Sequence, residues 1–336
     1  MRIADTVTHP QTGSSVRRYV LPLLFATLAC AGDGPSGGIV GADSTFTITL
    51  RWVGTPPNAA IQQAFTSAAT RIQTVITAEI PDAQIGTQAQ PFDITLCNAS
   101  MTGVTPLNEE VDDVIIFAKV DSIDGVGQVL GSAGPCLTRT AGGLTGLGIM
   151  RFDNADLQNI ADNGRLGDVI LHEMLHVMGI GTLWEVRGLL ADKDSSDVRV
   201  TGALAAAACA NDVGGSAVCV GSVPAENCLD LAVGQTCGAG TQNAHWKESI
   251  FRTELMTGYA GATNLMSRIT VQALADLGYT VSLSAADAYT VPPAALMANT
   301  KGGAGASLRE SELTLPEPAR PRFSIDELGR VHKLRN

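Results

Sequence analysis

Histidine is scarce in this chain, with 5 among 336 residues, so two histidines close together stand out. Positive charge is short as well: 22 Lys and Arg face 33 Asp and Glu, leaving a net charge of −11. That argues against nucleic acid as a partner, because binding phosphates needs a basic face. The acidic excess itself reads as ordinary solubility. Charged residues make up only 16% of the chain, while Gly reaches 36 residues, which suits a loop-rich extracellular protein better than a cytosolic one. The apolar run of residues 20–29 is too short to span a membrane permanently. The 7 cysteines include no Cys-x-x-Cys pair, which disfavours a structural zinc site built from them. At 336 residues the chain can bury a sizeable core, in one large domain or two.

Export accounts for several of these features together. Residues 1–30 read as a signal segment, with Arg17 and Arg18 ahead of the apolar run and Cys30 at its end. Thr27-Leu28-Ala29-Cys30 fits a relaxed lipobox, in which Cys30 carries a lipid and becomes the mature N-terminus. Plain cleavage after Ala29 or Ala31, with release of the product, is the rival. A membrane then enters only through a lipid on Cys30, and residues 31–44 are a flexible tether. Without Cys30, six cysteines remain, enough for three disulfides in an oxidising compartment. Cys97 and Cys136 are the two that precede residue 172 and are expected to pair. Cys209, Cys219, Cys228 and Cys237 crowd into an insertion spanning 191–240, with their connectivity open.

The chemistry concentrates at His172-Glu173-Met174-Leu175-His176, inside an apolar run expected to form a helix over 166–178. Residues four apart share a helix face, so His172 and His176 can hold one metal ion. Two neutral imidazoles suit Zn²⁺, and Glu173 beside them can take a proton from a water molecule. Gly179 stands where a helix ending in a left-handed turn wants glycine.

A third ligand must come from elsewhere. A Glu on a following helix is one solution, and a closely spaced His is another, but position 182 is Thr182. His9 precedes the signal segment and His332 lies in a polar tail, which leaves His245. With the motif, Gly181-Thr182-Leu183-Trp184, His245-Trp246, Glu254-Leu255-Met256 and residues 273–279 in view, the chain resembles the leishmanolysin family of zinc endopeptidases, and most closely its bacterial relatives, over roughly residues 45–282. That resemblance implies one catalytic Zn²⁺ on His172, His176 and His245. It makes Glu173 the general base and Met256 the methionine of a turn beneath the metal. It also implies an insertion between the second and third His. Tyr259 is a weaker candidate for holding the oxyanion.

The implied architecture is α+β: a two-lobed metzincin-like metalloprotease with a mixed twisted sheet, an active-site helix and a smaller C-terminal lobe. Residues 45–190 are expected to form the N-terminal catalytic lobe and 241–283 the C-terminal lobe with the third His and the methionine turn. An extended, poorly packed tail is expected over 284–336. Alternation predicts a strand over 45–53, helical spacing predicts a helix from Asn58 to about residue 77, and 113–120 reads as a buried central strand. Residues 127–133, closed by Gly134-Pro135, are a shorter extended piece. By chain order Gly131, Ser132 and Ala133 are the candidate edge on which an extended substrate pairs, an inert edge being the equal alternative. Asp192, Asp194 and Asp197 have a spacing that could hold Ca²⁺, but no Glu stands at the twelfth position, so a solvated loop is favoured.

The expected protein is a monomeric endopeptidase acting on protein or peptide, on the cell surface or outside it. A surface adhesin on the same fold, and a zinc hydrolase acting on other bonds, are the alternatives. An adhesin would be marked by loss of Glu173 or of the third His, and both are present.

Overall fold

The structure, a computed structural model, describes residues 45–123, 125–126, 130–230, 237, 240–293, 313–314 and 317–334. The signal segment, Cys30, the tether and residues 127–129 of the expected extended piece lie outside them. No helix among the described residues is long and apolar enough to cross a membrane.

Strand β1 (Ile48–Trp52) leads into α1 (Ala59–Val75), where Asn58 accepts from the Ile61 amide as the N-cap. Ile61, Phe65, Ala68, Ala69, Ile72 and Val75 recur at helical spacing and are all buried. A ribbon of β2 (Ala83–Ile85) and β3 (Glu109–Val111) precedes β4 (Val114–Asp121), β5 (Gly131–Arg139) and β6 (Thr145–Asp153). Then come α2 (Asn154–Asp162) and α3 (Leu166–Met178).

The main sheet runs β1-β4-β6-β5 through its centre; β1, β4 and β6 are parallel, and β5 is antiparallel to β6. Both faces of β4 are covered. Val114, Ile116 and Ala118 join the core under α1 and α3, while Ile115 and Phe117 join a second core under the β2–β3 ribbon. This is why the strand reads as an unbroken apolar run rather than an alternation. Edge-on aromatic contacts of Phe65 with Trp52 and Phe152, at 4.8 and 5.6 Å between ring centres, fasten α1 to the sheet.

Strand β5 does not stop at Gly134-Pro135. Pro135 sits opposite Gly148 beside a register irregularity, a position that tolerates a residue without an N–H.

The chain after α3 forms a three-stranded sheet of β7 (Leu190–Ala191), β8 (Arg199–Val200) and β9 (Val223–Pro224) with α4 (Ala203–Asn211). The Asp276 carboxylate accepts from the Leu204 and Ala205 amides at the start of α4. Short α5 (Glu248–Phe251), β10 (Tyr259–Ala260) and α6 (Arg268–Leu277) follow. Three disulfides are present: Cys97–Cys136, as expected, and Cys209–Cys219 and Cys228–Cys237 in the insertion.

The tail differs from expectation. Its described residues contain β11 (Leu313–Thr314), β12 (Glu317–Pro318), β13 (Phe323–Ile325) and β14 (Val331–Lys333). β12 and β13 pair in parallel with β5, and β14 closes a hairpin with β13. Ile325 is buried in the second core, so the apolar residues scattered among these prolines and charges are enough to dock the segment.

Candidate metal centre

Helix α3 is buried almost all round, with His172, Glu173 and His176 at most 1% exposed. It ends at Gly179, whose φ of 112° is left-handed. The Ile180 amide then returns to the Leu175 carbonyl, and the same turn aims the Ile180 carbonyl at His176. His176 Nδ1 donates to it at 2.7 Å. Thr182 is no ligand; its hydroxyl donates to the His176 carbonyl at 2.7 Å.

The third histidine is carried by the chain that closes the insertion. Glu226 clamps this stretch. Its amide donates to the His245 carbonyl, its own carbonyl accepts from Asn243, and its carboxylate accepts from the amides of Cys228 and Glu248. Gly181, at φ 76°, lies so close to the Ala244 carbonyl that a Cβ there would be 2.0 Å from the oxygen. Trp246, next in sequence, stacks obliquely on Trp184 at 4.6 Å and donates to Thr270.

His172, His176 and His245 meet: His245 Nε2 is 3.2 Å from His172 Nε2 and 3.0 Å from His176 Nε2. The Nδ1 atoms all face backbone carbonyls, Leu255 for His172 at 2.7 Å, Ile180 for His176 at 2.7 Å and Thr241 for His245 at 3.0 Å. A carbonyl can only accept, so each Nδ1 carries the proton and each Nε2 is left with a bare lone pair. Three buried lone pairs, with that of His245 3.0 and 3.2 Å from the other two, repel one another unless a cation lies between them. Four-coordinate Zn²⁺ with nitrogens at 2.0–2.1 Å sets neighbouring nitrogens about 3.3 Å apart, close to what is seen. The donor set therefore fits a dication, and the orienting carbonyls are the partners that metal-bound histidines characteristically have.

Burial holds all three imidazoles below their ordinary pKa, with the neighbouring imidazoles adding to the effect at His172 and His176, and His245 is brought to about 4. The triad is thus neutral and ready to ligate near pH 7. Both oxygens of the Glu173 carboxylate are buried without a hydrogen-bond partner, and burial pushes that carboxyl well above the usual range. A dication nearby would favour its ionised form.

Met256 is fully buried in the main core, and its carbonyl accepts from the Trp246 amide. The segment is fixed by Glu254, a buried carboxylate that accepts from the Met256 amide, from the amide and hydroxyl of Ser267 and from the Thr270 hydroxyl. That fixes the Leu255 carbonyl against His172. Neither Glu226 nor Glu254 is distinguishable in the sequence from a surface acid. Tyr259 is a buried strand residue. Asp192, Asp194 and Asp197 do not gather their carboxylates into a metal-sized group; among the described residues the groups that do are the histidine triad and the largely exposed Glu79, Asp82 and Asp112.

Gly131, Ser132 and Ala133 lie in β5, as expected. Ser132 lines a cleft of about 380 Å³ together with Gly181, Thr182 and Ala244. Ala244 precedes His245, and the Thr182 hydroxyl bonds the His176 carbonyl, so the cleft lies against the backbone that carries two of the histidines. The outer edge of β5 at Ser132 and Ala133 is paired with β12, a neighbour the sequence does not announce.

The sequence profile of the family described as leishmanolysin matches residues 90–295, more than half of the chain. No curated protein matches it.

Proposed function

The chain belongs to the leishmanolysin family of metallopeptidases, and from that premise we propose that it is an exported, zinc-dependent endopeptidase acting on extended protein or peptide chains. The observation that carries this reading is the convergence of three neutral Nε2 lone pairs, that of His245 lying 3.0 and 3.2 Å from the other two, together with a buried carboxylate without a partner on the same helix.

His172, His176 and His245 would hold the ion. When bound, Zn²⁺ supplies a Lewis acid that polarises the scissile carbonyl and acidifies a water molecule. Glu173 accepts the proton of the attacking water at its carboxylate and delivers it to the leaving amine. The Leu255, Ile180 and Thr241 carbonyls keep the imidazoles in the tautomer that presents Nε2. Gly131, Ser132 and Ala133 offer main-chain groups to an extended substrate, which favours recognition of backbone over sequence.

Three disulfides support an oxidising compartment. A surface location through a lipid on Cys30, and a monomeric state, complete the proposal.

The test is hydrolysis of casein by the purified protein, with and without a zinc chelator, alongside Glu173→Gln. The amide cannot take the proton, so hydrolysis should fall at least about 100-fold while metal content stays at one equivalent. Chelator-insensitive cleavage, or no cleavage by the metal-loaded protein, would overturn the reading. Loss of metal as well as activity in folded Glu173→Gln would give Glu173 a structural role instead.

A further inference from the structure

The tail pairs with two elements far apart in the sequence. Leu313 and Thr314 pair with Ala260 and Tyr259, just beyond Met256. Glu317 and Pro318 pair with Ser132 and Ala133 of β5. Two residues separate Thr314 from Glu317, so three Cα steps bridge them, a reach of at most about 11 Å. β11 therefore joins an element that follows His245, and β12 the sheet that precedes the metal helix.

Beyond this crossing the contacts continue along β5. The Ala319 amide donates to the Ala133 carbonyl at 2.6 Å. Gly134 admits the Ala319 backbone; a Cβ there would lie 1.9 Å from the Ala319 oxygen. Arg320 pairs with Glu185. Ala319 and Arg320 also line the 380 Å³ cleft, together with Ser132, Thr182 and Ala244. Ser132 and Ala133 therefore already have a chain on the edge that an extended peptide would use.

We propose that residues 313–314 and 317–320 act as an autoinhibitory strap, a segment of the chain that occupies the substrate edge of β5 and must leave before a peptide can pair there. This rests on the endopeptidase reading above. The local sequence suits the task, because Pro316, Pro318 and Pro321 bias the chain to extended backbone and lower the entropy lost on docking. The hold is short, with two paired residues on each side and an exposed ion pair that contributes little. Being tethered, it competes at a high effective concentration, so it blocks weak substrates and yields to tight ones.

The variant Ala319→Pro/Arg320→Ala removes the amide that bonds Ala133 and the partner of Glu185, and leaves the β13–β14 hairpin untouched. It is compared with the parental full-length protein, both with metal content verified, on a quenched fluorescent casein-derived peptide. The expected result is a rise in kcat/KM of at least fivefold, mainly through KM. A synthetic peptide of residues 313–322 added in trans should bring it back down. An unchanged or lower kcat/KM in the folded, metal-loaded variant overturns the strap. If neither protein cleaves, the peptidase reading fails, and the strap is then decided by fluorescence anisotropy. The labelled 313–322 peptide should bind the variant at least tenfold more tightly than the parental protein, and equal binding overturns the strap.

Discussion

Replacing Gly181 with alanine would test whether the third histidine is held where the geometry requires. The substitution adds one methyl group at a φ of 76°, 2.0 Å from the Ala244 carbonyl oxygen. Ordinary contact begins near 3.4 Å, so one of the two backbones must retreat by more than 1 Å. Ala244 precedes His245, and metal–ligand distances tolerate only about 0.2 Å. The left-handed backbone costs a non-glycine residue about 1–2 kcal/mol, and forced displacement in a packed site typically costs another 1–3 kcal/mol. A loss of roughly 2–5 kcal/mol corresponds to a fall in Tm of about 3–8 °C for a chain of this length. The assay is scanning calorimetry of the zinc-loaded and chelator-treated forms, with metal affinity measured by competition against a chromophoric chelator. The apo form should lose stability by the backbone cost alone. The zinc-loaded form should lose more, because the third ligand is displaced, so the gap between the two Tm values should shrink. Parental zinc affinity together with a parental Tm gap would refute the argument, and would mean that the 181–244 contact has no part in placing His245.

Three other outcomes follow from the same structure. His245→Ala should lose stoichiometric zinc and peptidase activity together, whereas His332→Ala should change neither, because His332 sits in the β13–β14 hairpin against Asp326; a full zinc equivalent in folded His245→Ala, read by atomic absorption, contradicts the assignment. The chelator-treated protein should lose stability as pH falls. His245 is held at about 4 by burial while an unfolded histidine titrates near 6.5, so the unfolded chain binds the proton first. That one group costs roughly 3 kcal/mol between pH 6.5 and 4, its own contribution levels off below that window, and a flat urea-unfolding stability across it would speak against a neutral buried triad. Removing Cys97–Cys136, whose sequence separation is 39, should cost about 4 kcal/mol, against about 3 kcal/mol for Cys209–Cys219 with a separation of 10; equal denaturation midpoints for the parental protein and both double Cys→Ser variants would contradict the loop-closure argument.

What could be read from the sequence was whatever repeats at a regular spacing. The metal helix stands at 166–178 as expected because its apolar residues and Gly179 state both its period and its end. The α1 face was legible for the same reason, and β4 by its unbroken apolar run. His245 was reachable by elimination, since histidine is so scarce. The groups that orient the triad were not reachable, because the carbonyls of Leu255, Ile180 and Thr241 belong to the backbone and have no residue signature. Nor were Glu226 and Glu254, whose burial depends on amides supplied by other segments. The strands of the insertion are two residues long, too short to show an alternation. The pairing of Ser132 with Glu317 spans most of the chain, and no local pattern marks a contact of that range.

The spacing of the three histidines also bears on the order in which the protein is completed. His172 and His176 are presented together as soon as one turn of α3 forms. His245 comes 69 residues after His176, and is placed only when the stretch from Glu226 to Thr241 is in position. Cys228–Cys237 lies between Glu226 and His245, so this disulfide shortens the loop that must close to place the third histidine. Once captured, the ion closes a loop of about 70 residues, which for a covalent link of that span would restrict the unfolded chain by on the order of 4 kcal/mol. A bound metal would then serve as a fourth cross-link beside the three disulfides, and the only one among them that can be removed and returned without changing a covalent bond.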